Sequence, residues 1–344
     1  MAQLPNAKIT VSFNEALAAA VAALKAAGAS AEHAGATARA LVTAEAEGNS
    51  GVGLRHLFTY RDALAAGRIR GDAVPVVEAA TDSLTRVDAA EGLPQLGVER
   101  AWARLVEGAE ANGLALLALR NGYPCGALGY FARKLAEGHG LAALVAANAG
   151  PAVMPASGGS RRVFCTNPLA FAVPTGEAES GAPALVIDQA STNASLASIR
   201  AAAEAGRELP EGWALDPAGH PTTDARAALA GSLLPFGGAR GANIALMVEL
   251  LAAGLTGANW SQDAPPFNKG AKSPGAGLFI LAISPLAGFH RRLQDWLDAV
   301  QSDAVQSGGG AYLPGLAKGE ALDHARHRGF AVDAELWRKI KALA

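Results

Sequence analysis

From Ser83 to Pro285 the chain alternates short apolar runs with amphipathic stretches, whereas both ends read as helix alone. The runs "SLTRVDAAEG", "LALLALRNGYPCG", "LAALVAANAGP", "ALVIDQAST" and "GLFILAISP" are bounded by Gly, Pro or Asn, as buried strands are. Between them, "GVERAWARLVEGAEANG" and "ALGYFARKLAEGHG" repeat at helical spacing and stop at glycine. Residues 13–28, residues 31–47 and a short stretch from about Leu57 to Gly67 read as helices, as do "FHRRLQDWLDAVQS" and "AELWRKIKALA" in the tail. Strands that alternate with helices require an α/β body, and helices at both ends must find an apolar face to cover. The expected division is a helical domain of residues 1–72 and 287–344 around an α/β domain of residues 73–286.

Composition narrows the function. Half of the 344 residues are hydrophobic and 17% are charged, which suits a packed globular chain. A net charge of −2 without a long Lys/Arg block argues against a nucleic-acid partner. No stretch reaches the roughly 18 apolar residues of a membrane span, and no leader pattern opens the chain, so the expected location is the cytoplasm. The two cysteines, Cys125 and Cys165, have no zinc-ligand spacing and read as inert buried thiols; no metal is expected.

Neither a GxGxxG nor a GxxxxGK[ST] turn stands at a strand–helix junction, so a standard dinucleotide or P-loop site is not expected. Two other loops favour anions. "PFGGARG" (residues 235–241) opens the longest apolar helix with Gly237, Gly238 and Gly241, and its Arg240 brings a guanidinium suited to phosphate. "GGSRRVFCTNP" (residues 158–168) combines Gly158 and Gly159 with a basic pair and a Thr166-Asn167-Pro168 corner. "VIDQAST" sets Asp188 at the end of an apolar strand, where a carboxylate is costly unless hydrogen-bonded or functional. His139, His220, His290, His324 and His327 read as solvated. His56 differs: it lies in "GNSGVGLRHLFTY" (residues 48–60), between Arg55 and Tyr60.

Together these segments resemble the malate/L-lactate dehydrogenase-like family of NAD(P)-dependent oxidoreductases. The resemblance runs from about Ala31 to Phe330 and is most specific in "TNPLAFAVP", "GWALDPAGHPTTDARAAL" and "LLPFGGARGANIALMVELLAAGLTGAN". The last stretch looks closest to the Δ1-piperideine/pyrroline-2-carboxylate reductases. The resemblance implies a non-Rossmann cofactor domain with a largely antiparallel mixed sheet, a helical domain from both chain ends, and a homodimer. The family's Gly-Thr-Asn-Pro falls on Cys165-Thr166-Asn167-Pro168, its Gly-Gly-x-Lys-Gly on residues 237–241 with Arg240 for lysine, and its aspartate on Asp188. Its two histidines fall on Val52 and Pro124, and its arginine position holds His56.

The expected function is therefore NADPH- or NADH-dependent reduction of a small cyclic imine carboxylate. Arg55 would hold the carboxylate, Asp188 would stabilise the iminium charge, and His56 and Tyr60 are the other acids within reach. Two alternatives remain open at this point. One is a 2-hydroxyacid dehydrogenase of malate, lactate or sulfolactate type with a relocated acid; the other is a cofactor-binding protein without turnover.

Overall fold

The computed structural model describes residues 7–148, 150–176, 183–306 and 309–343. Among them, seven strands form one sheet in the order Val76–Thr81, Leu84–Asp88, Leu114–Gly122, Ala276–Ile283, Ala142–Ala147, Leu169–Pro174, Ala184–Gln189. Leu84–Asp88 runs parallel to Leu114–Gly122, and the other neighbours pair antiparallel. The chain is thus α/β with a mixed sheet. The hairpin strand Val76–Thr81 has no strong apolar alternation and is absent from the sequence-based reading; four of its six residues, including Val76, are exposed edge positions.

Side chains alternate across the sheet as the pleat requires. Leu117, Leu119, Val145, Ala170, Leu278 and Ile280 face helices Pro94–Asn112 and Gly129–His139, whose Leu105, Phe131 and Leu135 complete the main core. The opposite face carries Ala146 and Phe279 against Val248 of helix Ala239–Glu249. That helix does not run unbroken to Gly257 as its sequence suggests. It passes into a π turn, Leu250–Gly254, which presses on the neighbouring strand: a Cβ at Gly277 would collide with the Ala252 carbonyl oxygen.

Both chain ends meet in a second core. Ala16, Ala20 and Leu24 of helix Phe13–Ala26 and Leu41 of helix Ala31–Ala46 pack with Leu322, Leu336, Trp337 and Ile340. Strand Lys8–Val11 pairs antiparallel with Phe330–Asp333, a connection too short to show as periodicity. Helix Phe289–Gln306 is peripheral: Leu297 is its buried side chain, and Trp296 stays exposed. A third, smaller core gathers Met154, Phe164, Ile199, Ala214 and Leu233 beside a short three-stranded sheet, Ala214–Leu215, Pro221–Thr222 and Ser232–Leu233. No helix among the described residues is long and apolar enough to cross a membrane.

Candidate active site

A cavity of about 520 Å³ opens where the two larger cores meet. One wall is the segment that follows helix Ala31–Ala46, with Asn49, Gly51, Val52, Arg55, His56 and Thr59; facing it are the segment after strand Leu114–Gly122 and the ends of the central strands. The segment is fixed from beneath. Glu45 is buried and its carboxylate accepts from Ser50 Oγ and the Leu54 N–H, each at 2.8 Å. Gly53 is required there, because a Cβ would strike that carboxylate. Glu47, at the end of the same helix, meets the buried guanidinium of Arg133 at 2.8 Å.

Val52 and Pro124 both line the cavity, and neither brings a titratable side chain to it. His56 lines it too, half-buried, at the start of helix His56–Ala65. Desolvation holds its imidazole below the ordinary histidine pKa, against a hydrogen bond to the Gly51 backbone that raises it. The ring is therefore neutral near pH 7.

Tyr60 does not line the cavity. It is fully buried, packs edge-on against His56 with ring centres 5.0 Å apart, and donates to the Pro124 carbonyl at 2.8 Å. Burial, the largest cause, raises its pKa far beyond the ordinary phenol range. Its hydroxyl is committed to holding the Pro124 loop, not free to protonate a substrate. Gln95, also buried, donates to the Cys125 carbonyl at 2.9 Å and fixes the same loop from helix Pro94–Asn112.

Asp188 sits at the end of edge strand Ala184–Gln189, and its Oδ2 accepts the Gly129 N–H at 2.8 Å, at the start of helix Gly129–His139. The pleat places its side chain on the helix-covered face, beside the cavity. Desolvation pushes its pKa above the usual carboxylate range; the Gly129 hydrogen bond and the Lys318 charge pull the other way. Cys125 and Cys165 also line the cavity, a placement their sequence did not suggest. Burial pushes the Cys125 thiol up to about 12, with Asp188 adding to the rise, so it stays protonated.

The expected cofactor residues divide. Thr166 and Pro168 line the cavity. Asn167 between them turns away: with φ +38° it buries its side chain, donating to Glu249 and to the Ala245 carbonyl at 2.8 Å each. Glu249 is buried as well and accepts from the Ser261 N–H at 2.6 Å and from Ser261 Oγ at 2.7 Å. The pair anchors the Thr166–Pro168 corner; in sequence Glu249 stands within one long apolar run, and its place at the junction of helix and π turn is visible only in the fold. Gly158, Gly159, Gly237, Gly238, Arg240 and Gly241 are not among the lining residues. Gly241 is buried where a Cβ would strike the Phe236 carbonyl, so its need for glycine is steric. The loop does sit close by, since Phe236 N–H donates to the Ser191 carbonyl at 3.1 Å and Ser191 N–H to the Thr166 carbonyl at 2.8 Å. Arg162, of the basic pair, donates to the Leu229 and Ala230 carbonyls and is spent within the protein.

The donor set suits the nicotinamide half of a dinucleotide. Leu119, Leu128, Leu278 and Pro168 supply flat apolar walls, and the exposed cations Arg55 and Arg200 stand at the cavity. Among the described residues no cluster of side chains could hold a metal ion.

Comparison with known proteins identifies the family. The malate/L-lactate dehydrogenase family model matches residues 11–341. The (2R)-3-sulfolactate dehydrogenase (NADP(+)) of Chromohalobacter salexigens is 37% identical over 335 residues, covering 97% of this chain and 98% of that protein. The Δ1-pyrroline-2-carboxylate reductase of Ancylobacter novellus is 37% identical over 324 residues, covering 93% of each. The crystal structure of Δ1-piperideine-2-carboxylate reductase from Pseudomonas syringae pv. tomato superposes with a TM-score of 0.89 at 32% identity, covering 98% of this chain and all of that one. A family match over nearly the whole chain, on a mixed-sheet fold with an apolar cavity between two cores, leads to one conclusion: the chain belongs to the malate/L-lactate dehydrogenase family.

Proposed function

We propose that the protein is an NAD(P)H-dependent oxidoreductase that reduces a small cyclic imine carboxylate of the Δ1-pyrroline- or Δ1-piperideine-2-carboxylate type. The observation that carries this is the cavity's mixture of groups: the non-titratable Val52 and Pro124, a neutral His56, and a desolvated carboxylate at Asp188. Bound NADPH or NADH would supply a hydride. Arg55 pairs the substrate carboxylate and fixes which face of the ring is presented. Asp188, ionised, lies beside the protonated imine nitrogen and stabilises that charged form in a site where little water screens it. As the carbon gains hydride, the C=N electron pair withdraws to nitrogen, which keeps its proton and becomes an amine. Leu119, Leu128 and Leu278 exclude water from the reacting atoms. Consumption of NADPH with Δ1-pyrroline-2-carboxylate tests the reading, and no turnover despite tight cofactor binding would end it. A 2-hydroxyacid dehydrogenase is the second reading, favoured by the place of His56 in the cavity.

The cofactor's adenylate half extends toward the 235–241 loop. Arg240, exposed on that loop, pairs a phosphate there. Replacement by alanine is expected to weaken NADPH binding by about 1–3 kcal/mol, the range of a charge-assisted hydrogen bond. Fluorescence titration reads it, and an unchanged dissociation constant removes Arg240 from the site.

The functional unit is a homodimer whose helical part comprises residues 1–72 and 287–344. Its support is apolar surface left open on the sheet face and its helix: Leu114, Phe171, Ile187, Leu246 and Leu250 are each more than a third exposed. Light scattering at micromolar concentration should give twice the chain mass; a monomer would refute the assembly.

A further inference from the structure

We propose that Arg200 is a second anion-binding group of the cavity, taking an oxyanion distinct from the carboxylate held by Arg55. The inference rests on the proposed reductase reading for the identity of the first anion.

Three charged side chains line the cavity besides the neutral His56: Arg55, Asp188 and Arg200. The proposed substrate accounts for two of them. Its carboxylate offsets Arg55, and its protonated nitrogen offsets Asp188. Arg200 is then left with a full positive charge facing the site. Its own protein does not neutralise it, for among the described residues it has no hydrogen bond or ion pair, even with Glu204 four residues on. The helix that carries it is nonetheless anchored. Helix Leu196–Glu204 buries Ile199, Ala202 and Ala203 in the third core, and the Ser195 side chain caps its start by accepting the Ser198 N–H at 3.1 Å. Arg200 projects from a helix anchored on its other side. Ser195 and Leu196 line the cavity with it.

An unpaired guanidinium on an anchored helix beside a cavity calls for an oxyanion from whatever binds inside. Two sources offer that chemistry: a phosphate of the dinucleotide, or a second acid group on a substrate longer than the monocarboxylate. The guanidinium is planar and always charged, so it suits either as a two-pronged donor.

The test compares Arg200→Met, which keeps the length and removes the charge, with Arg200→Lys, which keeps the charge. NADPH fluorescence titration reads the cofactor source without requiring turnover, so its result stands even if the substrate assignment fails. Michaelis constants for oxaloacetate and for pyruvate read the substrate source. Loss of one charge-assisted contact corresponds to roughly a 10- to 100-fold effect. A rise of that size in the NADPH dissociation constant of Arg200→Met, partly restored in Arg200→Lys, supports a phosphate. A rise confined to the oxaloacetate constant, with pyruvate unchanged, supports a second substrate acid. If Arg200→Met melts like the wild type and alters neither quantity, the proposal is overturned.

Discussion

Asp188→Asn should lower kcat for imine-carboxylate reduction by about 10²–10³-fold, the cost of removing a preorganised electrostatic partner, with the NADPH dissociation constant near the wild-type value. The asparagine keeps the size and can still accept the Gly129 N–H, so geometry is preserved and the charge alone is lost. Because desolvation raises the folded-state pKa of Asp188, its ionised form is the one that appears late as pH rises. Activity that depends on the anion must therefore fall as pH drops through that raised value, above the ordinary carboxylate range, and this acid limb should vanish in the variant. Stability carries the opposite sign. A raised folded pKa means that the native state binds the proton more readily than the unfolded chain, so ionising Asp188 costs stability above its unfolded pKa of about 3.9. The variant is then expected to be no less stable than the wild type at neutral pH. Wild-type kcat in Asp188→Asn would remove the carboxylate from the chemistry.

The central strands were legible in the sequence because their apolar runs are short, β-rich and bounded by turn residues. Leu117, Val145 and Ile280 lie in the core such runs imply. What could not be read were the pairings that depend on distant chain segments: Lys8–Val11 with Phe330–Asp333 joins residues more than three hundred apart, and neither strand is long enough to show a period. The site was legible where chemistry is conspicuous locally. Asp188 on an apolar strand and Arg55–His56 in a glycine loop are odd residues in their surroundings, and all three line the cavity. Function and support are harder to separate from sequence. Tyr60 and Asn167 belong to the same motifs, yet one holds the Pro124 carbonyl and the other is locked to Glu249. Arg200 carries no local mark at all. It reads as an ordinary polar position on an Ala-rich helix, and only the fold brings it to the cavity.

The enzyme should reduce Δ1-pyrroline-2-carboxylate in preference to pyruvate or oxaloacetate by about 10²–10⁴ in kcat/KM, the usual worth of a positioned proton donor. Hydride addition to a ketone leaves an alkoxide, which must gain a proton as it forms. Val52 and Pro124 cannot give one. Tyr60 is bound to a carbonyl, and the Cys125 thiol, at about 12, is a poor acid at neutral pH. His56 is the remaining imidazole in the cavity, and desolvation keeps it below the ordinary histidine value. It is thus largely unprotonated at pH 7 and gains its proton only as pH falls through that lowered value. Any ketone reduction that relied on it would rise toward acid pH and fall above it. A protonated imine brings its own proton and needs no such donor. Its rate should instead decline at high pH, as the free imine loses that proton. The measurement is a paired assay of the imine and both oxo acids across pH, on the wild type and on His56→Ala. Imine reduction that survives in His56→Ala, with slow oxo-acid turnover in both proteins, is the expected result. Fast oxo-acid reduction that climbs toward acid pH and collapses in His56→Ala would make His56 the relocated acid, and the protein a 2-hydroxyacid dehydrogenase.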